Sequence, residues 1–230
     1  MIKQINFLSS KEKYTYLAPN YNYLLIENNI KDKINIDEIL NLMLKREEYL
    51  ISENKQDKTE SEKLFKTIRY KFFNEELFKT SEIQDLILQI KNHIHYYCKL
   101  SNVSVPRKIW IQFWCNILRG KETIQLHQHS DDGASFLSGN LCLETSDSLT
   151  NYINPQTYFK KFDVAYSSEN KTGNLTIFPS TIPHFTENLK EIKQRITIAF
   201  DVMIEQDKRI EIWHKKENDL FKENIIELRY

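Results

Sequence analysis

A chain of 230 residues with 40% hydrophobic content is long enough for one well-buried core and short for two domains. Its 32 basic and 32 acidic residues cancel, which excludes an overall field favouring nucleic acid or an anionic membrane. No apolar run approaches the ~18 residues of a membrane span, and the stretch from Met1 to Asn6 lacks the apolar core and small-residue cleavage site of a signal peptide, so a cytoplasmic setting is expected. Cys98, Cys115 and Cys142 are odd in number and widely spaced, without a Cys-x-x-Cys pair. That pattern argues against a disulfide framework and a structural zinc site, and implies reduced, buried thiols.

Residues 1–35 carry Tyr14, Tyr16, Tyr21 and Tyr23 among short apolar pieces, which suggests an extended arm with strand character. From Asp37 the apolar positions Leu40, Met43, Leu44, Leu50 and Ile51 fall near helical spacing, and Asp37 and Glu38 favour a helix start. Residues 53–63 are almost wholly charged or polar and read as an exposed loop. The clearest helix follows: Thr80 or Ser81 can cap it, and Ile83, Leu86, Ile87, Ile90, Ile94 and Tyr97 form one apolar stripe. Past Pro106 the period changes to two. Ile111, Phe113, Cys115 and Ile117 make one face of a strand, and Trp110, Gln112, Trp114 and Asn116 the other.

Further strands are expected at 124–129, 137–144, 174–178 and 194–203. The stretch 145–172, with Asn154-Pro155 and Ser167 to Asn170, is long for a connection and is a candidate lid over a site. Beyond Asp207 the chain is charged with apolar residues interspersed, which suits a terminal helix or an added strand packed back on the sheet. Helices first and strands afterward imply an α+β domain.

Three histidines and an arginine stand out between Leu126 and Thr197. If His127 and His129 sit on a strand, alternation points both side chains to one face about 6–7 Å apart at the backbone, which suits two ligands of one metal. A third ligand from a distant strand would complete one face of an octahedron and leave the opposite positions open; His184 is the candidate. The plainer reading of the pair is two surface histidines in a polar loop, since Gln125, Gln128, Ser130 and Asp131 flank them. His93 and His95 show the same spacing, but on a helix they point about 200° apart and cannot share a metal.

On the segment from Gln194 to Val202, residues Ile196, Ile198, Phe200 and Val202 form a continuous apolar face, so Arg195, Thr197 and Ala199 occupy the other. If the apolar face meets a helical layer, Arg195 and Thr197 point inward, where an unpaired charge is costly. A bound carboxylate would resolve that cost through the planar guanidinium, with the hydroxyl as a further donor. The plainer reading is an edge strand whose polar side meets water. Gln112, Trp114 and Asn116 are placed to line the same pocket, against ring packing for Trp114 and a structural hydrogen bond for Asn116. Gly139, Gly173 and Pro179 suit turns and close strand approach.

In order and spacing together, Trp114-Cys-Asn116, Gly120, His127-Gln-His129, Ser138-Gly139, Phe178-Pro179, His184 and Arg195 resemble the non-haem Fe(II)/2-oxoglutarate-dependent oxygenases, in particular a bacterial and phage subgroup. The resemblance covers roughly residues 108 to 203. It implies a double-stranded β-helix, a jelly-roll, cupin-like barrel buttressed by the amino-terminal helices. It divides one oxygenase domain over 1–230 into a helical support region (1–105), a β-helix core (106–204) and a C-terminal extension (205–230). It further implies Fe(II) and the cosubstrate 2-oxoglutarate, with hydroxylation of a small-molecule or peptide substrate as the usual outcome. His127, His129 and His184 would be the metal ligands. Arg195, Thr197, Asn116 and Gln112 would face the cosubstrate. A second register, His129, Asp131 and His184, gives the more familiar two-histidine, one-carboxylate triad, and both stay open because a bound 2-oxoglutarate dianion neutralises Fe(II) in a three-histidine site. Residues 127 and 131 lie ~13 Å apart on a regular strand, so the three positions cannot all bind one ion without a bend. The rival readings are a cupin-like metal-binding protein without 2-oxoglutarate chemistry, and a non-catalytic binding or interaction module on the same barrel.

Overall fold

Alternation of apolar residues along long strands produces two sheets that face each other, one broad and one narrow. The computed structural model describes residues 1–8, 21–53, 69–120, 122–129, 135–145, 148–154, 164–187, 194–205, 208–215 and 223–230. The expected loop at 53–63 falls almost wholly outside these residues, as does Asp131.

The broad sheet holds β1 (Lys3–Leu8), β2 (Asn22–Asn29), β3 (Lys108–Arg119), β4 (Ser135–Glu144), β7 (Asn174–Pro179), β9 (Gln194–Met203) and β10 (Ile225–Arg229), in the order β1-β2-β7-β4-β9-β3-β10. Its neighbours are all antiparallel. The narrow sheet is β6 (Val164–Ser168), β5 (Thr150–Ile153) and β8 (His184–Thr186), in that order. Together they are the two faces of a jelly roll, although among the described residues no ladder closes them into a continuous barrel.

Among the described residues four α-helices flank this frame: α1 (Ile36–Glu53), the single turn α2 (Glu75–Phe78), α3 (Ser81–Leu100) and α4 (Lys208–Lys215). Asn35 caps α1 by accepting from the Glu38 N–H at 3.3 Å, with Asp37 and Glu38 in the first turn. Its buried Ile36, Ile39, Met43 and Leu50 line one face. The α3 stripe is buried as spaced, at Ile83, Leu86, Ile87, Ile90, Ile94 and Tyr97. Thr80 precedes α3, but its hydroxyl donates to the Leu77 carbonyl at 2.8 Å and caps nothing.

These faces pack on the outer side of the broad sheet, against Ile111, Phe113 and Ile117 of β3 and Ile196, Ile198 and Phe200 of β9. Burying each such side chain is worth about 1.5–3 kcal/mol, so this layer carries most of the fold's stability. Gly139 lets β4 into it: a Cβ there would stand 2.5 Å from the Thr176 carbonyl oxygen and would clash with the Phe200 ring. The one buried acid of α1, Glu47, is paired by Arg119 through two hydrogen bonds of 2.6 and 2.7 Å.

The structure differs from the expected elements in three places. The stretch 145–172 is more than a connection, because its described residues contribute β5 and β6 and so build the second face of the cavity. Each strand is only four or five residues long, too short for alternation to stand out. Residues 124–129 form no strand, only a bridge between His127 and His184. The sheet is also wider than 106–204: β1 and β2 extend one edge, and β10 covers the other by pairing with β3 from Ile225↔Gln112 to Arg229↔Lys108. The C-terminal stretch thus supplies both a helix and an added strand. Cys98, Cys115 and Cys142 are free and buried.

Candidate active site

The inward face of the broad sheet follows from strand parity. With Ile196, Ile198, Phe200 and Val202 turned to the helices, Arg195, Thr197, Ala199 and Asp201 turn to the narrow sheet. In register beside them on β3 stand Leu118, Asn116, Trp114 and Gln112. Arg195 and Asp201 are six positions apart on β9, ~20 Å along the strand. The cavity therefore has two ends. His184, however, pairs with Tyr152, only two positions or ~7 Å from the Thr150 that Arg195 bonds, so the imidazoles and the guanidinium lie within reach of one small ligand.

The Asp201 end gathers three histidines. His127 N–H donates to the His184 carbonyl at 3.1 Å, His184 N–H returns the bond at 2.9 Å, and His129 N–H donates to Ser180 O at 2.9 Å. These backbone bonds do for the irregular segment what a strand would have done. Ring centroids lie 4.3 Å apart for His127 and His184, 4.9 Å for His127 and His129, and 5.1 Å for His129 and His184. One nitrogen from each lies within 4.8 Å of the other two.

Each Nδ1 is already engaged: His127 with Gln125 O at 2.7 Å, His184 with Ile182 O at 3.0 Å, and His129 with the Asp201 carboxylate at 2.9 Å. An imidazole that donates from Nδ1 keeps its lone pair on Nε2, so three Nε2 atoms are left to act as ligands. Burial pushes His184 well below its ordinary pKa, and the neighbouring His127 and His129 add to the effect. His127 is lowered by burial and by His129. Both are neutral at pH 7, the form a metal needs. Trp114 stacks on His129 at 5.5 Å, and Tyr152 and Phe178 flank His184 at 5.8 and 4.9 Å. These rings shield His184 and one face of His129, whereas His127 is half-buried.

At the other end Arg195 is 2% exposed. Its Nη2 donates to Thr150 Oγ1 at 2.8 Å and to Asn170 Oδ1 at 3.3 Å. Nε and Nη1 are buried and have no partner among the described residues. Burial lowers the Arg195 pKa. Two unmatched charged donors in a cavity are costly, and an anion would satisfy both. Thr197, buried, stands two residues along the strand, in register with buried Asn116.

The expected residues thus divide. His127, His129 and His184 come together at one end, and Arg195, Thr197 and Asn116 at the other. Gln112 does not join Arg195, because it faces Asp201 across the ladder and its Oε1 accepts from Arg209 Nη1 at 3.1 Å. Parity put it on the correct face, and distance along the strand put it at the wrong end. Thr150, Asn170, Tyr152 and Asp201 were not anticipated. The first three lie in the stretch taken for a lid, whereas Asp201 simply continues the alternation of Arg195, Thr197 and Ala199.

The donor set suits a metal with an anionic partner: three imidazole nitrogens at one end, unmatched guanidinium donors at the other. Residues 112–201 match the family described as "Putative 2OG-Fe(II) oxygenase". That segment is similar to a 2OG-Fe(II) oxygenase domain. The matched segment contains all three histidines and Arg195, and the histidines form a group that could hold a metal ion.

Solved structures agree on the fold. The non-haem monooxygenase ThoJ in its nickel complex aligns with a TM-score of 0.53 at 10% identity, over 76% of this chain and 71% of that one. Its apo form aligns with a TM-score of 0.52 at 10% identity, over 76% and 72%. No curated protein matches the sequence.

Proposed function

We propose that the chain is a 2OG-Fe(II) oxygenase, a hydroxylase of a small-molecule or peptide substrate, with Fe(II) on His127, His129 and His184 and the distal carboxylate of 2-oxoglutarate on Arg195. The observation that carries this reading is the division of labour along one cavity. Three imidazoles with every Nδ1 engaged stand at one end, and a guanidinium with Nε and Nη1 unmatched stands at the other. When bound, iron and 2-oxoglutarate would supply the oxidation with dioxygen as the oxidant: one oxygen atom ends in succinate as the cosubstrate loses carbon dioxide, and the other in the hydroxylated substrate.

The chain's own residues bind, orient and exclude water. The Nε2 atoms hold the metal, while the Nδ1 bonds fix each ring's tautomer and rotation. Arg195 forms a fork to the carboxylate, itself steadied by Thr150 and Asn170. Thr197 and Asn116 add neutral hydrogen bonds beside it. Trp114, Tyr152 and Phe178 close the cavity around the imidazoles. A metal-binding barrel without 2-oxoglutarate chemistry would leave the buried Arg195 without an anion.

We read the chain as one domain, because helices from the amino-terminal part cover the outer face of the sheet while β10 completes its edge. No described helix is long and apolar enough to cross a membrane. The buried free cysteines suit a reducing, cytoplasmic setting. The reading is tested by anaerobic titration with Fe(II) and then 2-oxoglutarate, watched for the weak visible charge-transfer band, followed by a succinate-release screen over candidate substrates. A stoichiometric band is expected. Iron uptake with no response to 2-oxoglutarate would reduce the chain to a metal-binding barrel.

A further inference from the structure

Three neutral imidazoles give a divalent cation no compensating charge, whereas the His129, Asp131 and His184 register would have given one carboxylate. Within the described residues the cavity does contain a buried carboxylate at this end, but beside a histidine. Asp201 is 3% exposed and its two oxygens are divided. Oδ1 accepts from His129 Nδ1 at 2.9 Å and from Ser138 Oγ at 2.6 Å. Oδ2 accepts from Arg209 Nη1 at 2.7 Å.

The other two histidines meet only backbone carbonyls, Gln125 O and Ile182 O. One imidazole of the three is therefore paired with an anion. Arg209 comes from α4, in the C-terminal stretch beyond the family match, and also bonds Gln112 at 3.1 Å. Ser138 and Arg209, from different elements, hold the carboxylate with Oδ1 on His129.

Resting on the three-histidine reading above, we infer that Asp201 is a positioning residue that supplies, through His129, the negative charge the metal's ligand set lacks, and that Arg209 of α4 sets how much of that charge reaches the metal. A carboxylate behind an imidazole makes it a stronger donor and fixes its ring. In a buried site it also attracts the dication directly. The guanidinium on Oδ2 opposes both effects. The rival role is structural: an ion pair that tethers α4 to β9 with no bearing on the metal.

The two roles differ in sign, and the full-length chain distinguishes them. Co(II) affinity would be measured by competition with a chelator, and 2-oxoglutarate affinity by calorimetry on the oxygen-free, Co(II)-loaded protein, for wild type, Asp201→Asn and Arg209→Gln. Asp201→Asn keeps the shape and an acceptor but loses the charge. It should lower Co(II) affinity roughly ten- to a hundredfold. The more electron-poor metal should then bind the 2-oxoglutarate dianion severalfold more tightly.

Arg209→Gln should do the reverse, with Co(II) bound at least as tightly as in wild type and 2-oxoglutarate severalfold more weakly. Should Asp201→Asn fail to fold, the Arg209→Gln pair of affinities decides alone. Co(II) affinity unchanged in Asp201→Asn, or metal and 2-oxoglutarate weakened together in either variant, would overturn the inference and leave a structural tether. Failure of wild type to bind Co(II) would instead sink the site reading on which the inference stands.

Discussion

The two ends of the cavity differ in completeness. At the histidine end every Nδ1 has a partner, and the His129 and His184 rings lie against Trp114 and Phe178. At the arginine end, Nε and Nη1 of a fully buried guanidinium have none. The difference follows from what each end is asked to do. A metal is held by short bonds to lone pairs whose directions must be set beforehand, so the orienting hydrogen bonds belong to the protein. A carboxylate brings its own acceptors, so the protein leaves the donors unmatched and the ligand completes them.

The sharpest way to break this comparison is at the histidine end. His184→Ala should abolish iron binding at stoichiometric metal while the fold survives, checked by anaerobic Fe(II) titration alongside circular dichroism. Iron occupancy near wild type would remove His184 from the ligand set. His127→Ala should likewise lose iron while Asp131→Ala retains it; the opposite pair of results would establish the two-histidine, one-carboxylate register.

Next in size is the arginine end. Hydrogen bonds to a charged group are worth ~1.5–3 kcal/mol, so Arg195→Met should weaken 2-oxoglutarate binding by roughly ten- to a hundredfold or more. Metal affinity should hold, since Arg195 is no ligand. Arg195→Lys should recover only part of the loss, because an ammonium lacks the planar fork. Calorimetry on metal-loaded, oxygen-free protein decides it, and equal 2-oxoglutarate affinities would end the division between the two ends.

A smaller effect sharpens the boundary. Thr197→Val removes one neutral hydrogen bond of ~0.5–1.5 kcal/mol and should cost 2-oxoglutarate roughly three- to tenfold. Gln112→Ala should leave that affinity unchanged, because Gln112 lies at the opposite end.

The smallest effect is on pH. His184 and His127 have folded pKa values held below the unfolded one, chiefly by burial. Their contribution to metal-free stability is present above about pH 6.5 and is lost as pH falls from there toward the depressed folded values, since the unfolded chain takes up protons first. Urea denaturation of the metal-free protein at pH 7.5 and 5.5 should show the loss, and His184→Ala should reduce its pH dependence. An unchanged slope in the variant would mean that other groups set it.

Much of this arrangement was legible in the residues. The alternation from Gln194 to Val202 put Arg195 and Thr197 inside, and β9 runs over Gln194–Met203 with both buried. The helical stripe from Ile83 to Tyr97 is buried along its length. Spacing also separated His93 and His95: His93 is buried on α3 and bonds Asn28 at 2.9 Å, far in role from the pair at 127 and 129. These readings succeeded because strand parity and helix periodicity are local, set by backbone geometry over a few residues.

What sequence alone determined was therefore which residues face inward and which chemistry they can carry: three imidazoles, a guanidinium and a hydroxyl, with no disulfide or structural zinc motif to compete. What only the tertiary structure decided was who meets whom. His127 and His129 converge on His184 without a strand, through backbone bonds to residues more than fifty positions away. Thr150 and Asn170 reach Arg195 from a segment whose strands are too short to be read. Gln112 is drawn to Arg209 and away from the site's other end, and Asp201 is held to His129 by a helix outside the family match. Each of these contacts joins segments whose separation in sequence carries no periodic signal, because cross-sheet packing depends on how whole elements stack, and that is settled only when the core closes.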